Sequence, residues 1–130
     1  MDTKKLFGLI FCAVISIVGC SNHPDSKILA GKYCFNRFDK DSQNDLLFVN
    51  GDNSYKHKFV ASDGHVWEAN GKWEYDSIGG EILFKDFRFF NDAGPTDLPP
   101  GNWYSKVIVT DKGEVRLMYS SENNIYFSKK

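Results

Sequence analysis

Asn50-Gly51-Asp52-Asn53-Ser54-Tyr55-Lys56-His57-Lys58-Phe59-Val60-Ala61-Ser62-Asp63-Gly64 reads as one strand held between two turns. Asn50-Gly51 and Asp63-Gly64 are strong hairpin signals, because these residues tolerate positive φ. Working outward, the same grammar repeats in both directions. Strands are predicted over 31–38, 45–49, 54–60, 65–75, 81–90, 103–110, 114–120 and 124–128. Their breaks carry turn chemistry: Asp39 to Asn44, Gly79-Gly80, Asp111-Lys112-Gly113 and Glu122-Asn123-Asn124. Alternation supports the reading. Val107 and Val109 share a face opposite Lys106 and Ile108, and Val115, Leu117 and Tyr119 share another. Leu83, Phe87 and Phe89 are expected to point together, with Lys85 interrupting. No segment after residue 30 keeps a helical period. The long break at 91–102 holds three of the four prolines. It reads either as a lid or partner-contact loop or as a rigid surface crossover.

The fold class that follows is all-β: an antiparallel meander of about eight strands, closed as a small barrel or folded as a roll. Closure would remove exposed strand edges. Eleven Phe, six Tyr and three Trp, only two of the Phe lying before residue 20, supply one core without disulfides.

The N-terminus has a different grammar. Lys4 and Lys5 precede an uncharged run from Leu6 to Val18, then Gly19 and Cys20. The run is shorter than the roughly 20 apolar residues of a membrane span, and it is built like a signal peptide. Ile17-Val18-Gly19-Cys20 resembles the lipobox of bacterial lipoproteins. The resemblance implies a signal peptide over 1–19, cleavage between Gly19 and Cys20, and a diacylglycerol on the Cys20 thiol. An ordinary cleaved signal or a retained anchor is the alternative. In Gram-negative lipoproteins, serine after the cysteine, here Ser21, implies the outer membrane, facing the periplasm. Residues 20–30 then form a lipidated tether, and residues 31–130 the domain. A ten-residue tether reaches about 35 Å when extended and about 18 Å as a coil.

With Cys12 in the leader and Cys20 acylated, Cys34 stands alone in its strand and reads as a small buried side chain. The formal net charge is −1, without a basic run, so no nucleic-acid partner is expected. The terminal Lys129-Lys130 reads as a solvated tail.

Motifs for chemistry are sparse. Asp39 to Asp45 has the acidity of a calcium loop but lacks the glycine at its sixth position and the glutamate at its twelfth. His57 and His65 fall on neighbouring strands without a clear third zinc ligand. Glu68 and Glu74 share a face, as surface carboxylates also do. Neither a nucleophile elbow nor a phosphate-binding glycine loop is present. The expectation is a non-enzymatic protein with no metal and no cofactor beyond the covalent lipid on Cys20. The remaining candidates are aromatic: Trp67, Trp73, Trp103 and Tyr104, lining a cavity or forming a contact patch.

Asn50-Gly51-Asp52 through Tyr55, then Asp63-Gly64, Gly71-Lys72-Trp73-Glu74, Gly79-Gly80 and Ile82-Leu83-Phe84, resembles the meander of small lipocalin-like bacterial lipoproteins. The likeness covers roughly residues 31–90. The family's opening Gly-x-Trp falls on Gly31-Lys32-Tyr33, with tyrosine in place of tryptophan. Two functions follow. One is a membrane-anchored, non-enzymatic binding domain for an envelope protein, including an inhibitor or immunity-type protein acting through the 91–102 loop. The other is a lipocalin-like carrier of a small apolar ligand, which requires a cavity lined by inward aromatics and is excluded by a filled interior.

Overall fold

A computed structural model describes residues 23–130; the leader, Gly19 and Cys20 lie outside the described residues. A single 3-10 turn at Ser26–Ile28 precedes ten strands. They are β1 (Gly31–Arg37), β2 (Lys40–Val49), β3 (Ser54–Val60), β4 (Val66–Asp76), β5 (Glu81–Phe87), β6 (Phe90–Asn91), β7 (Gly94–Pro95), β8 (Gly101–Val109), β9 (Val115–Ser120) and β10 (Ile125–Lys129). Eight of them close into one barrel in the order β1-β10-β9-β8-β5-β4-β3-β2, and β6 and β7 form a separate ribbon. All pairings are antiparallel. The meander is therefore a barrel rather than a roll. Each of the eight barrel strands has a neighbour on both sides, so none is an open edge strand.

The turns show how the sequence sets this register. Gly64, Gly80 and Gly113 take the left-handed conformation their turns need, at φ 87°, 68° and 84°. In the Asn50-Gly51 turn that role passes to Asn53, at φ 68°. The Asn53 carbonyl then accepts a hydrogen bond from the Trp73 amide at 2.9 Å.

Two strands depart from the sequence reading. The polar run at 39–44 is not a turn. The first hairpin turns on Phe38-Asp39, both left-handed at φ 54° and 58°, and β2 starts at Lys40. A two-residue loop with both φ positive is the type I′ geometry that matches strand twist. The polar run is absorbed by a bulge: Cys34 pairs with Leu46 while Phe35 pairs with Ser42. In β5 the inward residues are Ile82 and Phe84, not Leu83. Register then shifts between Phe84 and Phe87, where Asp86 takes φ 55°. That bulge reverses the alternation and brings Phe87 back inside.

The chain closes one end of the barrel with its own N-terminal segment. Leu29 is fully buried in the core. Its carbonyl accepts from the Tyr33 hydroxyl at 2.6 Å, and the Pro24 carbonyl accepts from the Tyr75 hydroxyl at 2.8 Å. The stretch read as tether is thus part of the domain from Pro24 onward, because Leu29 has an apolar side chain to bury and the tyrosines supply donors. The terminal lysines are likewise held. Lys129 Nζ donates to the Ile28 carbonyl at 2.6 Å, and Lys130 pairs with Asp41 at 2.5 Å.

Candidate functional site

An eight-stranded barrel is just wide enough for its interior to be filled by side chains or to hold one small ligand. Here the base and middle are filled. Tyr55 lies across Gly71 and donates to the Lys85 carbonyl at 2.6 Å. A Cβ on Gly71 would sit 2.6 Å from that carbonyl and 2.7 Å from the Tyr55 ring. This explains why a tyrosine strand faces a Gly-x-Trp strand. Midway up, Trp103 stacks on Phe84 at 5.3 Å and meets Phe87 at 4.6 Å. Burial pushes the Tyr33 and Tyr55 phenols up, so both stay protonated donors.

The other end is open. Above Phe87 and Phe127 lies a cavity of about 520 Å³, walled by Phe35, Phe59, Phe89 and Ile125. It lies at the end of the barrel opposite the Leu29 plug, where β1, β5 and β9 finish and β10 begins. The β6–β7 ribbon roofs part of it. Phe90 stacks parallel to Phe59 at 5.2 Å, and the Asp92 carbonyl accepts from the Ser62 amide and hydroxyl, both at 3.1 Å. Gly94 passes against the Trp67 indole, where a Cβ would come within 2.9 Å of Nε1. Beneath the ribbon, Trp67 Nε1 and Thr96 Oγ1 are buried without a hydrogen-bond partner among the described residues.

One polar pair is built into the wall. Asp45 shares the inward side of β2 with Leu47 and Val49, and His57 lies between Tyr55 and Phe59 on β3. His57 is only 2% exposed and stacks on Phe87 at 4.8 Å. Its Nδ1 lies 3.1 Å from the Arg88 carbonyl, which can only accept, so Nδ1 carries a hydrogen. Its Nε2 lies 2.6 Å from Asp45 Oδ1, so a proton occupies that contact too. Whichever partner owns that proton, the pair as a unit is uncharged. Neither ring nitrogen keeps a free lone pair, so His57 as placed is neither a metal ligand nor a base. The pair instead pins β2, β3 and the connection between β5 and β6 together.

The aromatic candidates are dispersed. Trp73 is at the base, its Nε1 donating to the Asn50 carbonyl at 2.9 Å. Trp103 is in the packed middle, below the cavity floor. Trp67 is under the ribbon with its ring 4.4 Å from that of His65. Tyr104 is exposed on the outer wall. Glu68 and Glu74 also face outward, paired with Lys56 at 3.9 Å and Lys85 at 2.7 Å. His57 and His65 are not joined, and among the described residues no three His, Cys, Asp or Glu converge. Cys34 is buried on the outer side of β1. A second depression, about 630 Å³, runs along the outer wall of β2–β4 beside Phe48, Lys56 and Lys72, and is open to solvent.

Arg37, Asp45, His57 and Tyr119 line the mouth; the sequence reading took His57 and Asp45 only as weak metal-ligand candidates and did not single out Arg37 or Tyr119 as site residues. A usable signal existed for one of them: alternation along Tyr55, His57 and Phe59 places the histidine between two inward aromatics.

No protein family and no curated protein matches the sequence. Among solved structures, the chain is similar to a lipocalin-like protein from Bacteroides uniformis ATCC 8492. The two share 17% identity and a TM-score of 0.51, over 78% of this chain and 97% of that one. At that identity the likeness establishes the fold: a lipocalin-like, closed eight-stranded barrel.

Proposed function

We propose that this protein is a lipid-anchored binding domain of the bacterial envelope that holds a small, largely apolar ligand in the mouth of its barrel. The observation that carries the reading is the cavity of about 520 Å³ over an aromatic floor, in a barrel otherwise filled. Its size and its mixture of rings with a few fixed polar groups are those of a small-molecule site. The filled base limits the ligand to the mouth, so no deep calyx is invoked. The lipocalin-like fold supports a binding or carrier role. The anchor is Cys20, through the lipobox-like Ile17-Val18-Gly19-Cys20, and Ser21 supports an outer-membrane destination facing the periplasm.

Two experiments test the two halves. N-phenyl-1-naphthylamine, a neutral flat fluorophore, should bind the purified protein saturably with about one site, and Thr96→Trp should abolish binding by filling the mouth. Saturable binding that survives Thr96→Trp would place the ligand elsewhere. For the anchor, Cys20→Ser should release the protein from the membrane fraction or block its maturation. Unchanged processing and unchanged membrane association would remove the lipoprotein reading.

A second reading, an inhibitor or immunity-type protein that grips an envelope partner, is favoured by the apolar side chains beyond the mouth. Phe38 is 76% exposed on the first hairpin, and Leu98 is 65% exposed on the connection after the ribbon. A stoichiometric complex that forms equally well with the mouth occupied by fluorophore would support it.

A further inference from the structure

The charges at the mouth narrow the ligand class, given the reading of the mouth as a ligand site. The Asp45 carboxylate is paired with His57 at 2.6 Å, so its charge is offset within the pair. Arg37 ends β1 on the same inward side as Tyr33 and Phe35 and lines the cavity. It makes no ion pair among the described residues. Its guanidinium lies 5.5 Å from the Phe38 ring, which gives it an apolar flank but no counter-charge. Tyr119, next to the end of β9, packs edge-on to Phe35 at 5.6 Å. Burial pushes its phenol up, the Asp45 carboxylate adds to this and Arg37 opposes it, so the hydroxyl lies within the field of both. The other carboxylate at the mouth, Asp92, sits on the ribbon, which is bonded to Ser62 on the β3–β4 side. The β1 side of the mouth is therefore cationic and the floor aromatic.

We propose that the ligand is an anionic amphiphile whose apolar body lies on Phe35, Phe87 and Phe127 and whose carboxylate, sulfonate or phosphate group meets Arg37 beside the Tyr119 hydroxyl. The guanidinium provides a forked donor set matched to such oxyanions. Partial shielding by the aromatic wall makes the contact stronger than a fully exposed one.

A matched pair of fluorophores tests this. 8-Anilinonaphthalene-1-sulfonate is N-phenyl-1-naphthylamine with one sulfonate added. Both should bind the wild-type protein, the sulfonate more tightly. Arg37→Gln should weaken the sulfonate about tenfold, the effect of losing one charge-assisted contact, and leave the neutral probe within twofold. Arg37→Lys should recover part of the loss, and added salt should weaken only the sulfonate. Thermal melts of both variants should match the wild type, since Arg37 is exposed. If both probes bind and Arg37→Gln changes neither, or weakens both equally, the anionic assignment is overturned while the mouth remains a ligand site. If neither probe binds the wild-type protein, the reading of the mouth fails and the assignment with it.

Discussion

At the scale of single residues, the barrel depends on places where a side chain is missing as much as on those where one is present. Gly71 is the clearest. The Tyr55 ring occupies the space where its side chain would be, and the Lys85 carbonyl closes the other side. One of those obstacles is backbone and cannot rotate away. Gly71→Ala should cost about 1–3 kcal/mol, in the range of overpacked cores, read as a lowered urea midpoint with unchanged slope. Tyr55→Phe should cost about 1 kcal/mol for the lost hydrogen bond to Lys85. An unchanged midpoint for Gly71→Ala would mean that the tyrosine has room to yield. Of the four aromatic candidates, alternation separates only Trp103 from its neighbour Tyr104. Tryptophan is equally suited to a core, a rim or a wall, and only the closed barrel shows which of them sits at the base, in the middle or under the ribbon.

At the scale of elements, strands and turns were legible wherever local chemistry alone fixes them. Asp63-Gly64 and Asp111-Lys112-Gly113 turn where glycine permits positive φ. What could not be read were bulges such as those at Phe35 and Asp86, because a bulge depends on what the neighbouring strand requires. The run at 39–44 has the composition of a turn, yet it becomes strand because the end of β1 needs a partner there: Phe35, Asn36 and Arg37 pair with Ser42, Asp41 and Lys40. The break at 91–102 was legible as irregular, but its short ribbon was not. The first hairpin carries a measurable consequence. Phe38 is bulky, exposed and left-handed. A side chain in that conformation costs about 1–2 kcal/mol, which asparagine largely avoids. Phe38→Asn should therefore raise stability by about 1 kcal/mol in chemical denaturation. A loss of stability instead would show that the Phe38 ring, through its contact with Arg37, holds the hairpin.

At the scale of the molecule, the barrel is closed by interactions on its outer wall as well as by its core. Glu114 accepts from Ser128 and from Arg116 at 3.2 Å, tying the β8–β9 turn to β9 and β10. Asp41 pairs with Lys130 and accepts from Asn36 at 2.9 Å, tying β2 to β1 and the C-terminus. The Ser128 hydrogen bond, then Arg116, holds the Glu114 carboxyl below its ordinary range, and Lys130, then Asn36, does the same for Asp41. Each group therefore contributes stability above its unfolded value, about pH 4, and the contribution is lost as pH falls through the lower folded value. The urea midpoint should be flat near neutrality and fall below about pH 4. Glu114→Gln should lower the neutral plateau and flatten the acid limb. An identical acid limb in that variant would assign the decline to other carboxylates.

The plug formed by Pro24 to Leu29 sets how far the domain can roam. On the proposed lipid anchor at Cys20, only Ser21, Asn22 and His23 would stand between the lipid and the residues bonded to the barrel base. That stretch reaches about 14 Å at full extension. The mouth lies at the far end, beyond strands such as β5 whose seven residues span about 23 Å. On that proposal, so short a leash, attached at the base, would keep the base nearer the bilayer than the opening. The proposed cargo would then arrive from the aqueous side, and an amphiphile dissolved in the anchoring leaflet would first have to leave it to be captured.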